Sequence, residues 1–217
     1  PKRARMKEIS LFILMLSLII GCNEYSTEIS QEIGSVKEEP SDFFTQENES
    51  FENTEKLFDF SKESHSEWFL VNDNVMGGVS HAQIQRINQS VMSFSGRLSL
   101  KNNGGFSSVR SFLPESALAS FDGLTFKIRG DGRLYSVLVT TQDPRISWQS
   151  EFETDEEWQI VTVPFDEMRM SVRGWKVENS PKIVGSKVTG IGFIISDKIQ
   201  EPFNLEIDWI AAHENSD

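Results

Sequence analysis

The sequence predicts an all-β fold, a jelly-roll β-sandwich, and three features point to it. After Phe58, strand-length apolar runs recur between turn residues. Within them the chemistry alternates: Leu124, Phe126 and Ile128 are apolar where Thr125, Lys127 and Arg129 are polar, the period of a half-buried strand. No strong amphipathic helix lies among the runs, which excludes a doubly wound α/β sheet and favours two packed antiparallel sheets. A chain of 217 residues with 38% hydrophobic types is long enough for one good core.

In chain order, the first element is a processing signal rather than part of the fold. Met6 reads as the initiator, Lys7 as the basic flank, and Ile9 to Ile20 as a short apolar run ending in Ile19-Ile20-Gly21-Cys22. Such a run is too short to span about 30 Å of hydrocarbon as a helix and has the length of a signal-peptide core. The small residue before the cysteine, with aliphatics behind it, resembles the lipobox of bacterial lipoproteins. That resemblance implies cleavage after residue 21 and lipidation of Cys22, and hence a membrane-anchored protein outside the cytoplasm, at the outer membrane or in the periplasm. Cys22 is the only cysteine, so no internal disulfide or four-thiolate metal site is available. Residues 22–56 are acidic and rich in Glu, Ser, Thr, Asn and Gln, the composition of a disordered, flexible tether.

Residues 57–217 form the predicted domain. Strands are expected over Ser80 to Ile87, Met92 to Leu100, Phe106 to Leu113, Gly123 to Gly130, Arg133 to Thr141, Ile146 to Thr154, Trp158 to Phe165, Val188 to Ser196 and Phe203 to Ala211. One short helical turn is expected at Pro114 to Ser120. Asp131-Gly132 predicts a tight hairpin joining two of the strands, because glycine and aspartate supply the positive backbone angles such a turn needs. Arg133 to Thr141 is more continuously apolar, as suits a strand at a sheet centre. By parity, Trp148 shares a core-facing side with Ile146 and Phe152, and Trp209 with Leu205 and Ile207.

Charge narrows the function. A formal net charge of −12 excludes nucleic acid as a partner, which needs a positive surface, and argues against electrostatic adsorption to anionic lipid. His65, His81 and His213 lack metal-ligand spacing, so no metal and no cofactor is predicted. No nucleophile elbow, phosphate loop or dinucleotide fingerprint is present, and acids such as Glu151, Glu153 and Asp155 are too numerous to single out a catalytic pair.

Four stretches occur in order: Trp68-Phe-Leu-Val-Asn-Asp-Asn-Val-Met-Gly-Gly-Val-Ser80; Phe94-Ser-Gly-Arg-Leu-Ser-Leu-Lys-Asn-Asn-Gly-Gly-Phe-Ser-Ser-Val-Arg110; Ile128-Arg-Gly-Asp-Gly-Arg-Leu-Tyr135; and Gly192-Phe-Ile-Ile-Ser-Asp-Lys198 with Phe203-Asn-Leu-Glu-Ile-Asp-Trp-Ile210. Together they resemble the complex I intermediate-associated protein 30 family over nearly all of the chain from Phe58 onward. The resemblance implies a galactose-binding-domain-like jelly roll and a non-enzymatic role assisting assembly, the best-known members being mitochondrial chaperones for respiratory complex I. A lipobox departs from that setting, so the fold carries over better than the role.

Two loops in these motifs supply candidate site residues. Asn72 and Asp73 with Gly77-Gly78 form either a tight structural turn plugged by Met76 or the rim of a ligand or peptide site. Asn102-Asn103-Gly104-Gly105 leads into a strand where Phe106, Ser108 and Arg110 share one side and Ser107, Val109 and Ser111 the other. Arg110 is placed either to hold a carboxylate or sugar hydroxyl through its planar fork or to pair with Asp73 or Asp131. If the loops meet, Asn72, Asp73, Asn103, Arg110, Arg129 and Asp131 make one candidate rim. Trp175 in Arg173-Gly174-Trp175-Lys176, or Tyr135, would be the stacking platform for a glycan, the alternative to an envelope protein as partner.

Overall fold

The computed structural model describes residues 56–62, 67–143 and 145–214. In them the chain forms thirteen strands: β1 (Lys56–Asp59), β2 (Trp68–Asn72), β3 (His81–Ile87), β4 (Val91–Arg97), β5 (Ser107–Phe112), β6 (Gly123–Arg129), β7 (Leu134–Thr140), β8 (Ile146–Glu153), β9 (Gln159–Pro164), β10 (Arg169–Val172), β11 (Trp175–Lys176), β12 (Gly190–Ile195) and β13 (Pro202–His213). They make two antiparallel sheets. One runs β3-β4-β13-β6-β9, with β1 also paired to β13; the other runs β11-β10-β8-β7-β12-β5-β2. This is the predicted jelly-roll sandwich. All nine expected strands are present, and β1, β2, β10 and β11 are additional. Pro114 to Ser120 forms successive hydrogen-bonded turns rather than a helical turn: the amides of Ala117 and Ala119 bond to the carbonyls of Pro114 and Ser116.

The core lies between the sheets and is built by alternation. Leu124, Phe126 and Ile128 of β6 face Val137 and Val139 of β7, Phe152 of β8 and Phe193 of β12 across it. Phe126 meets Phe152 and Phe193 edge-on, each with ring centroids 5.2 Å apart, so one aromatic side chain joins both sheets. Burying each such ring contributes about 1.5–3 kcal/mol.

Two expectations fail for reasons of topology. Asp131-Gly132 does not close a hairpin: β6 pairs with β13 and β9, β7 pairs with β12 and β8, and the turn crosses from one sheet to the other. Of the two residues only Gly132 has a positive φ, whereas the two-residue hairpin between β10 and β11 places both Arg173 and Gly174 in the left-handed region. A local reversal signal fixes where the chain turns, not which strand it bonds to. Trp209 is buried, but on the other side of its sheet. A bulge in β13 makes Asp208 an extra residue, so Trp209 lies opposite Lys127, and Ile210, opposite Phe126, enters the core instead. The Lys56 ammonium then sits 5.4 Å from the Trp209 ring centroid. Trp148 follows its parity: it is buried in the core cluster, with its indole nitrogen donating to the Pro181 carbonyl at 2.9 Å.

Candidate functional site

The candidate site begins with the sequence Ser-Ser-Val-Arg-Ser-Phe of β5. Ser107, Val109 and Ser111 turn inward, leaving Ser108, Arg110 and Phe112 on the outer side of the seven-stranded sheet. Register sets Phe69 of β2 beside Arg110 on one flank and Gly192 of β12 on the other. A side chain at position 192 would meet the Val109 carbonyl at 2.2 Å and Arg110 Cγ at 3.1 Å, so glycine there leaves room for the arginine stem to cross its neighbour strand. Phe112 is 74% exposed and Phe69 36%, with their rings 5.2 Å apart.

Arg110 is half-buried, and its Nε donates to Ser108 Oγ at 3.1 Å. The Ser108 hydroxyl in turn donates to the Val71 carbonyl at 3.0 Å. Among the described residues no carboxylate pairs with Arg110, so neither Asp73 nor Asp131 is its counter-charge. Desolvation by burial lowers its pKa from the ordinary guanidinium value. Further across the same side, Ser136, Gln149, Glu151, Arg169, Ser171 and Lys176 line a shallow depression of about 130 Å³. Lys176 reaches Glu151 at 3.0 Å there, and the buried Ser171 hydroxyl has no hydrogen-bond partner among the described residues.

The predicted rim residues separate into distinct places. Asp73 is 1% exposed and lies inside the fold rather than on a loop surface. Its carboxylate accepts from the Ser80 amide at 2.9 Å, the Ser80 hydroxyl and the Gly105 amide at 2.6 Å. The loops after β2 and β4 do meet, joined by this carboxylate and by Asn102 Nδ2 donating to the Gly77 carbonyl at 3.0 Å. Burial pushes the Asp73 pKa up, but the hydrogen bonds from Ser80 and Gly105 outweigh it and hold the group below its ordinary value. Met76 is exposed and plugs nothing. Asn72 accepts from the Ser107 hydroxyl, and Asn103 is an exposed left-handed residue of the second loop.

The other candidates lie elsewhere. Arg129 is bound through two nitrogens to Glu206, at 3.0 and 2.6 Å, on the outer side of the six-stranded sheet, away from Arg110. Asp131 ties the crossover turn, accepting from the Asn204 amide at 2.7 Å and the Tyr135 hydroxyl at 3.1 Å. Tyr135 is fully buried and offers no platform for a glycan; burial, and then the Asp131 carboxylate, raise its pKa well above the ordinary phenol value. Trp175 is 79% exposed, yet register puts it on the same side as Met170 and Val172, opposite to Lys176 and the depression. Cys22 and His65 lie outside the described residues.

Sequence reading missed Phe69, Phe112 and Gly192. Phe112 was within reach, since it stands two residues from Arg110 on the same strand. Phe69 was not, because Trp68 to Asn72 lacks clean alternation and was not assigned as a strand.

Residues 58–207 match the family model described as Complex I intermediate-associated protein 30. The mitochondrial complex I intermediate-associated protein 30 of Mus musculus is 27% identical over 173 residues, covering 69% of this chain and 52% of that protein. Its Drosophila melanogaster counterpart is 29% identical over 99 residues, covering 42% and 33%. The chain thus spans about half the length of the mouse relative and about a third of the fly one. Among solved structures, the family 11 carbohydrate-binding module of a Clostridium thermocellum cellulosomal cellulase superposes with a TM-score of 0.55 at 13% identity, over 75% of this chain and 95% of the module. The family 11 module solved with a β-1,3-1,4-mixed-linked tetrasaccharide gives 0.53 at 15%, over 73% and 94%. At these identities the likeness is one of fold.

Proposed function

Because this chain belongs to the complex I intermediate-associated protein 30 family, we propose that it works without catalysis, as an assembly-assisting module holding a protein partner on the outer side of its seven-stranded sheet. One observation carries this reading: Arg110 is half-buried, has no counter-charge among the described residues, and is flanked by the exposed, ring-paired Phe69 and Phe112. A protein gains nothing in its own stability from desolvating a cation beside exposed aromatics, whereas a binding site uses both, the aromatics for area and the arginine for orientation. With Cys22 lipidated, the partner would be another protein of the cell envelope. Two experiments test the proposal in the producing cell. A photo-cross-linking residue at position 112 traps a specific protein, and Arg110→Ala abolishes the trapping; no trapped protein overturns the reading. Metabolic labelling with a fatty acid is lost in Cys22→Ser if the anchor is lipid.

A glycan is the second reading, favoured by the depression on the same side, whose polar lining includes the unpartnered Ser171 hydroxyl. A glycan array separates the two: selective sugar binding lost in Gln149→Ala supports the glycan, and a blank array beside a trapped protein supports the first reading.

A further inference from the structure

Among the described residues, the outer positions of β2, β5, β7 and β12 carry one charge only. They include Phe69, Val71, Ser108, Phe112, Leu138 and Ile194, all uncharged, around Arg110. Most other arginines of the described residues have oxygen partners for their side chains, the exception being Arg173 in the hairpin after β10. Arg129 binds Glu206, Arg133 binds Asp197, Arg145 binds Asp143, and Arg86 and Arg97 donate to backbone carbonyls. Arg110 uses its Nε on a serine hydroxyl, and neither terminal nitrogen has a partner among the described residues.

We infer that this surface takes one carboxylate next to an apolar side chain: an aspartate, a glutamate or a free C-terminus within an otherwise hydrophobic stretch of the partner. This deepens the proposal that the sheet binds a protein, and rests on it. The two free terminal nitrogens of a guanidinium match the two oxygens of a carboxylate, and partial burial strengthens such a pair relative to water. A phosphate, with a second negative charge, would call for a second cation, and the outer positions of β2, β5, β7 and β12 supply none; Lys198, a cation beyond them, donates to the Gly105 carbonyl. Poly-acidic segments are disfavoured by the chain's own net charge of −12. The exposed, paired rings of Phe69, opposite Arg110 on β2, and Phe112, two residues along β5, favour an apolar neighbour for that carboxylate over a hydrated one.

The test uses the full chain labelled with ¹⁵N-arginine, titrated with 3-phenylpropionate and with 3-phenylpropanol, which has the same ring and chain but no carboxylate. The Arg110 Nε–H resonance is assigned by its disappearance in Arg110→Lys. The expected result is a saturable shift of that resonance with the acid, at an affinity at least about tenfold above the alcohol, the advantage a charge-assisted pair confers. Arg110→Gln, which lacks the reporting resonance and is read by isothermal titration calorimetry against the same two compounds, abolishes the preference. Arg110→Met, in which an unbranched apolar stem replaces the cation, does the same with an unchanged far-ultraviolet circular dichroism spectrum, which excludes misfolding as the cause. Equal affinities for acid and alcohol, or a shift confined to other arginines, overturn the inference. If a protein is trapped at position 112 while the acid shows no preference, the carboxylate is wrong and the binding surface stands; if nothing is trapped, the binding surface itself is wrong.

Discussion

Asp73 is a carboxylate whose work is structural: it closes two loops by accepting three hydrogen bonds in a place water does not reach. Removing it leaves those donors buried and unsatisfied, so Asp73→Ala lowers stability by about 3 kcal/mol. For a domain of this size that corresponds to a fall in Tm of roughly 6–12 °C, measurable by calorimetry. Acid has a related effect. The folded-state pKa lies below the ordinary 3.8, so the unfolded chain takes up the proton more readily. The stabilisation is therefore complete above that value and is lost as pH falls through the lower, folded one. Asp73→Asn flattens this part of the stability profile, and an unchanged acid slope would count against the assignment. Packing gives an independent check. A methyl group at Gly78 would fall 2.3 Å from Asp73 Cγ, so Gly78→Ala destabilises by about 1–3 kcal/mol although the glycine itself has an ordinary backbone. Arg110 behaves in the opposite way. Relieving an unpaired, desolvated cation, Arg110→Met raises stability in urea by about 1 kcal/mol while removing binding; a loss of stability would make the arginine a structural residue.

At the scale of the strand, β13 does most to organise the molecule, pairing with β4 and β1 along one flank and with β6 along the other. Its bulge decides which side chains reach the interior. Deleting Asp208 removes the extra residue and leaves Trp209 opposite Lys127 and Ile210 opposite Phe126, so both side chains keep their sides of the sheet, while the 2.9 Å contact between Lys127 and Asp208 and the hydrogen bond from the Phe60 amide to the Asp208 carbonyl are lost. The expected cost is about 1–2 kcal/mol, read as a modest fall in the unfolding midpoint; a collapse of the fold would show that the bulge itself sets the register of the strand. The same strand shows what a sequence can and cannot reveal. Alternation in Leu124–Ile128 and the apolar run from Tyr135 to Val139 placed strands and their inner sides correctly, because burial acts on every second residue in turn. The bulge was invisible, since one inserted residue leaves composition unchanged and declares itself only against a partner strand. Strand partnership at Asp131-Gly132 was misread for the same reason. The candidate rim broke apart because Arg110 and Arg129, similar in sequence setting, belong to different sheets.

Over the whole domain, sandwich topology was legible from periodicity and motif order, whereas the binding surface needed the register of β2, β5 and β12 to appear at all. Those strands come from residues 68–72, 107–112 and 190–195, so their shared surface is a product of long-range pairing. Topology also brings the ends of the fold together: Lys56 of the first strand lies opposite Ala211 of the last. Residues paired in this way sit about 5 Å apart. A permuted chain in which residue 214 is joined to residue 56 by a short linker, and new termini are opened between Arg173 and Gly174, should keep the native circular dichroism spectrum and a cooperative melt. A unit whose entrance and exit are neighbours behaves as a cassette. It can hang from a stalk or be spliced into a loop of a larger host without prising the host apart.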